Sequence, residues 1–111
     1  MRRGEVRWYT FRAPDKRRPV LILARTSAIS YLTALTIAPI TTTIRDIPSE
    51  VLLTQGDGLL TECVANLDNI QTVPKANIGP LIAALSSARM EEVDRAIGFA
   101  LGMASSVLQG Y

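Results

Sequence analysis

Histidine is absent from this chain and cysteine occurs once. No apolar run approaches the ~20 residues that a membrane-crossing helix needs. Each absence removes a class of chemistry. Without an imidazole there is no base for a Ser–His–Asp or Cys–His mechanism. With no histidine and one thiol, a structural zinc site lacks its ligands, so neither a metal nor another cofactor is expected. One cysteine cannot close an internal disulfide. Cys63, beside Val64, reads as a small buried residue in a reducing compartment. The segment from Met1 to Arg7 alternates charge with small residues and carries no apolar signal region. Repeats, linkers and low-complexity stretches are missing too. These observations predict a single domain over 1–111, in the cytoplasm and with no membrane partner.

What is present suits a packed core: 48% of the residues are hydrophobic and 20% charged. The net charge of +2 is uneven. From Met1 to Arg25 eight basic residues face two acidic ones, a balance of +6; the remainder has four against eight, or −4. A basic N-terminal part suggests an anionic partner, nucleic acid being the commonest, although a charged surface alone could have this asymmetry.

The chain is organised around Lys16-Arg17-Arg18-Pro19-Val20-Leu21-Ile22-Leu23-Ala24-Arg25. Three cations lead into a short uncharged run that reads as a strand buried on both faces, with Pro19 tolerated at its first position. Arg18 is thereby held at the mouth of a rigid element, either as a solvated strand-end cation or as a forked phosphate grip. Ahead of it, Glu5 to Phe11 alternates as a strand. Trp8 is expected in the core rather than as a base-stacking platform. Ala13-Pro14-Asp15-Lys16 is a turn. Thr26 to Leu32 is a connection, and Thr33 to Thr43 a third strand that Pro39 should place at an edge or a bulge. Further strands follow at Glu50 to Thr54 and Leu59 to Ala65, around a tight turn at Gln55-Gly56-Asp57-Gly58. Asn66 to Val73 continues as a short strand, and Pro74 to Asn77 as one helical turn. Ser86 or Ser87 then caps a helix whose apolar face is Met90, Val93, Ile97, Leu101, Ala104 and Leu108. Gly98 and Gly102 suit close packing of that helix on a sheet. Five or six short strands and one C-terminal helix predict a strongly bent antiparallel sheet or partly open barrel with the helix against it.

Several of these stretches occur in a familiar order. Arg3-Gly4-Glu5-Val6 opens one strand, Arg18-Pro19-Val20-Leu21 the next, and Ile40-Thr41 ends the third. Ile78-Gly79-Pro80-Leu81 precedes a helix holding Val93-Asp94-Arg95-Ala96. Together, over about residues 3–103, they resemble the MazF/PemK family of toxin endoribonucleases. Asn69 to Pro74, after Cys63 and Asp68, is similar to its actinobacterial branch. The resemblance implies a mainly β, SH3-like partly open barrel (MazF/CcdB-like) of five to seven short strands with one C-terminal helix. It also implies a homodimer, metal-independent cleavage of single-stranded RNA, and a MazE-like antitoxin that blocks the RNA groove. By motif, Arg18 matches the family's catalytic arginine and Thr41 its catalytic threonine, with Thr42 the alternative hydroxyl. Lys16, Arg17, Arg25 and Thr42 are expected to contact substrate. Many members carry a Ser-Glu pair before the Arg-Pro. Here the loop from Arg12 to Arg17 has only Asp15.

The chemistry is consistent with this and narrows it. RNA can be cleaved by its own 2′-hydroxyl if the protein aligns the backbone and stabilises a phosphorane-like dianion. An arginine with a pKa above ~12 is a poor base, so Arg18 suits an electrostatic clamp and proton donor to the leaving oxygen. Thr41 suits a donor to a non-bridging phosphate oxygen. Two other readings compete. One is a CcdB-like gyrase-binding toxin, disfavoured because such toxins end in Trp-Gly-Ile and this chain ends Leu108-Gln109-Gly110-Tyr111. The other is a non-catalytic SH3-like binding module.

Overall fold

The computed structural model describes residues 1–12 and 16–103. The turn expected at Ala13 to Asp15 and the helix-face positions Ala104 and Leu108 lie outside them. Seven strands form one bent antiparallel sheet: β1 (Glu5–Phe11), β2 (Lys16–Ile22), β3 (Ala34–Thr41), β4 (Glu50–Leu53), β5 (Cys63–Asn66), β6 (Gln71–Pro74) and β7 (Ile78–Ala84). Their order across the sheet is β4-β5-β3-β2-β1-β7, with β6 beside the first half of β3. The two end strands do not pair, so the sheet curls without closing into a barrel. A short helix α1 (Thr26–Ile29) stands where an irregular connection was expected, and α2 (Ser87–Ala100) follows β7.

Alternation along the strands divides the core in two. Val6, Leu21, Ala38 and Ile40 pack with Val93 and Ala96 of α2 on one face. Tyr9, Val20, Ile22, Leu35, Ile37 and Val73 fill the other, against Ile29 of α1. The central run Val20-Leu21-Ile22 serves both faces and is fully buried, as a two-sided strand requires.

Pro39 is neither at an edge nor at a bulge. It lies inside β3, paired with Val20 of β2. The opposite side of β3 changes neighbour there: Ala34 to Ile37 pair with β6, and Ile40 and Thr41 with β5. A residue without an N–H falls where that side of the strand has no partner, so no ladder bond is lost. The fifth strand is shorter than the sequence suggested. Leu59 to Glu62 stay with the preceding turn, where the Gln55 side-chain amide donates to the Leu60 carbonyl at 3.0 Å. β7, which the strand pattern did not reveal, is the sheet's far edge, and such an edge tolerates Pro80.

The helix begins as expected. The Ser86 hydroxyl accepts the Arg89 N–H at 3.1 Å. It ends at Gly102, whose φ of 67° is left-handed. The Met103 N–H reaches back to the Gly98 carbonyl at 2.8 Å and the Gly102 N–H to Phe99 at 3.1 Å, a Schellman closure. Met90, Val93 and Ile97 face the core, but Leu101, beyond the last turn, is 64% exposed. Among the described residues no helix is long and apolar enough to cross a membrane.

Candidate active site

The β1–β2 ladder sets Trp8 opposite Pro19, Tyr9 opposite Arg18, Thr10 opposite Arg17 and Phe11 opposite Lys16. All three cations of β2 are exposed, and strand alternation sends them to different faces. Lys16 and Arg18 line a shallow depression with Phe11 and Pro39. Arg17 points the other way, its guanidinium carbon 4.2 Å from the centre of the Trp8 ring.

The register of β2 on β3, extended past its last pair, carries Arg18 toward Thr41. The β2–β3 ladder runs Ile22–Ile37, Leu21–Ala38, Val20–Pro39. Continued by two residues, the same register sets Arg18 opposite Thr41, on the face of Pro39 and Tyr9. Thr41 is fixed from its other side by pairing with Val64 of β5. Its Oγ1 accepts the Thr43 N–H at 3.1 Å, which leaves the hydroxyl proton available for donation. Thr42 is exposed and, by alternation, on the opposite face.

Trp8 departs from the sequence expectation. It is half-buried rather than a core residue and forms one wall of an apolar cleft of about 180 Å³. Pro19, Ile40, Leu59, Leu60 and Ile82 supply other walls, and Thr41, Thr42, Thr61 and Cys63 also border it. Burial, and then the charge of Asp57, push the Cys63 thiol up, so it stays neutral and acts as apolar surface. The sequence signal for this cleft was the polar-flanked Gly58-Leu59-Leu60-Thr61 stretch, in which Leu60 is 87% exposed.

Arg25 does not join the cluster. It stands past the buried end of β2, seven residues from Arg18, at the start of α1, where its Nη2 donates to the Tyr31 hydroxyl at 3.1 Å. Two other cations of the basic N-terminal part are engaged internally. Arg3 pairs with Asp94 of α2 at 2.8 Å, and Arg7 pairs with Glu5 at 2.8 Å while donating to the Gly79 carbonyl. The exposed positive charge is therefore more concentrated on Lys16, Arg17 and Arg18 than the sequence total implies. Among the described residues no group of His, Cys, Asp or Glu side chains is assembled that could hold a metal ion.

Comparison with known proteins places the chain in a family. Residues 2–101 match the family described as PemK-like, MazF-like toxin of type II toxin–antitoxin system. The chain is 40% identical over 89 residues to endoribonuclease MazF3 of Mycobacterium tuberculosis, covering 80% of this chain and 86% of that protein. The structure of Mycobacterium tuberculosis toxin MazF-mt6 superposes with a TM-score of 0.82 at 37% identity, covering 88% of this chain and 96% of that one. A mycobacterial endoribonuclease solved in complex with its cognate antitoxin gives a TM-score of 0.82 at 29% identity, covering 93% and 96%. Fold, motif order and these likenesses agree, and the chain belongs to the PemK-like, MazF-like toxins of type II toxin–antitoxin systems.

Proposed function

We propose that this toxin is an endoribonuclease that cleaves single-stranded RNA without a metal, with Arg18 and Thr41 as its catalytic pair. The observation that carries the reading is the β2–β3 register, which, continued two residues past Val20–Pro39, sets Arg18 opposite Thr41; Arg18 shares a shallow depression with Lys16, and Thr41 borders the apolar cleft. The RNA's 2′-oxygen attacks the adjacent phosphorus and loses its proton to water. Arg18 holds the non-bridging oxygens as negative charge grows, and the Thr41 hydroxyl donates to one of them. The phosphorus–O5′ bond then breaks, leaving a 2′,3′-cyclic phosphate and a 5′-hydroxyl, with the departing oxygen protonated from the Arg18 side. The half-buried, hydrogen-bonded placement of Thr41 supports it over Thr42. Lys16 and Arg17 supply salt-dependent grip on flanking phosphates. The CcdB-like and binding-module readings are not favoured beside relatives named as endoribonucleases.

The toxin works in the cytoplasm as a homodimer. Leu81 of β7 and Phe99 near the end of α2 are 53% and 54% exposed, apolar surface that a second copy would cover. Its antitoxin is a MazE-like chain with an acidic, apolar segment lying over the basic strand. The mycobacterial endoribonuclease solved in complex with its cognate antitoxin supports an antitoxin as partner, and the exposed cations of β2 support an acidic segment over that strand.

The test is incubation of purified toxin with a long RNA in excess chelator. Site-specific cleavage by the wild type, and loss of it in a folded Arg18→Ala variant, is the expected result. Activity that needs an added divalent ion, or that survives in Arg18→Ala, would overturn the assignment.

A further inference from the structure

Glu50 opens β4 with its side chain only 2% exposed. Its Oε1 accepts the Arg45 N–H at 2.9 Å, and Arg45 Nη1 stands 3.6 Å from its Oε2. Among the described residues Oε2 accepts no hydrogen bond. A carboxylate buried in this way is costly, and an apolar side chain of similar size would serve stability as well or better. Its use therefore lies in what it holds, which is the loop over residues 42–48 that joins β3 to β4. Asp46, next to Arg45, has a φ of 56°, the one left-handed non-glycine backbone among the described residues, so the loop keeps this shape only under restraint. The base of the restraint is firm. Ser49 is buried, its carbonyl accepts the Leu67 N–H at 2.9 Å, and its hydroxyl donates to Asp68 at 2.5 Å.

The other end of the loop is Thr41, whose Oγ1 accepts the Thr43 N–H. The ladders set Thr41 beside Val64, and Val64 beside Leu52, two residues along β4 from Glu50. By alternation Glu50 lies on the face of Thr41.

We infer that Glu50 is a positioning residue for the Thr41 hydroxyl. It acts through the loop and not by contact with substrate. By fixing the Arg45 backbone it keeps the Thr43 N–H on Thr41 Oγ1, and that bond turns the hydroxyl proton outward, toward the phosphate. Without the tie the loop relaxes, the hydroxyl samples its other staggered positions, and the donor is aligned only part of the time. RNA then binds as before and reacts more slowly. This inference rests on RNA cleavage with Thr41 as donor.

The test is a double-mutant cycle in single-turnover cleavage of an RNA that the wild type cuts. Binding is read separately on a copy with 2′-deoxyribose at the cleavage point, which lacks the nucleophile. Glu50→Met should slow cleavage by about ten- to a hundredfold and leave binding within about twofold. Glu50→Gln, which keeps an oxygen for the Arg45 N–H, should recover most of the rate. In a Thr41→Val background Glu50→Met should cost nothing further, because the hydroxyl it aligns is gone. Asp46→Val changes an exposed residue and should act like Glu50→Met, since a β-branched side chain does not suit a left-handed φ. It carries the cycle if the buried substitution prevents folding. The tie itself is read without RNA: hydrogen exchange of the Arg45 amide should be slow in the wild type and Glu50→Gln and fast in Glu50→Met.

Equal losses in the Thr41 and Thr41→Val backgrounds would show a merely structural role and overturn the assignment. So would a loss confined to binding, or wild-type rates in both Glu50→Met and Asp46→Val. A wild type that cleaves RNA while its Arg45 amide exchanges freely overturns the positioning role alone. A wild type that cleaves no RNA overturns the endoribonuclease reading, and this inference with it.

Discussion

Arg89 of α2 grips Asp57, in the turn after β4, with two donors: Nε reaches Oδ1 at 3.1 Å and Nη2 reaches Oδ2 at 3.0 Å. The same Asp57 oxygen accepts the Thr54 N–H at 2.8 Å, and Arg89 also holds Glu92 at 3.0 Å. Helix, turn and cleft wall are tied at one point, because Leu59 and Leu60 follow that turn directly.

Removing this tie should cost stability. The Asp57 side chain is 10% exposed, so Arg89→Met leaves a mostly buried carboxylate without its cation. The expected loss is about 2 kcal/mol, read as a shift of the urea midpoint at unchanged slope. An unchanged midpoint would show that the tie adds nothing to the fold.

The same pair gives stability an acid limit. Burial raises the Asp57 carboxyl, but hydrogen bonds and charge from Arg89 outweigh it and hold the group below its ordinary 3.8. Glu5, raised by burial and lowered more by Arg7, is also depressed below its ordinary 4.5. A lowered folded value means stability fully present above the ordinary value and lost as pH falls through the folded one. Melting temperature should therefore hold constant above about pH 5 and drop below about pH 4. In Arg89→Met the drop should be shallower, since Asp57 no longer differs as much between folded and unfolded chains.

At the site, fork geometry and hydroxyl donation can be separated. Arg18→Lys keeps charge but loses two-point contact with phosphate, and single-turnover cleavage should fall roughly a hundredfold. Thr41→Ser should retain most activity and Thr41→Val little. Both Thr41 variants should melt within about 1 kcal/mol of wild type, because Thr41 ends its strand half-buried. Equal rates for the Ser and Val variants would remove the hydroxyl from the mechanism.

Gly58 is required by its surroundings. Its φ of 96° is left-handed, and a Cβ there would lie 2.8 Å from the Ala83 side chain in β7. Gly58→Ala should cost about 1–3 kcal/mol and displace the Leu59–Leu60 wall. Thermal melting, with Trp8 emission reporting the cleft, checks both effects together.

The proposed homodimer is checked by light scattering. A mass of twice the 12.1 kDa chain at micromolar concentration is expected. Leu81→Glu should shift it toward one chain. A monomeric wild type would sink the dimer.

The sequence by itself determined what short range can encode. Two-residue alternation marked Glu5–Phe11, an uncharged run marked the centre of β2, paired glycines marked the turn at Gln55–Asp57, and a serine followed by 3.6-residue spacing marked the start of α2. Arg18 at the exposed end of a buried strand was legible for the same reason, and the ordered motifs carried the family. Tertiary structure decided what depends on which surface meets which. Alternation assigned Trp8 a side but not a cover, so only the curl of the sheet left it lining a cleft instead of filling a core. Pro39 could be central because β6 and β5 divide one side of β3 between them, a gap made by residues more than twenty positions away. Arg25 shares the basic stretch with Arg18 but sits beyond the far end of the same strand. Asp57 and Arg89 meet only because β7 and α2 fold back over the turn. Pairings across such distances depend on how whole elements pack, and a local pattern contains no term for that.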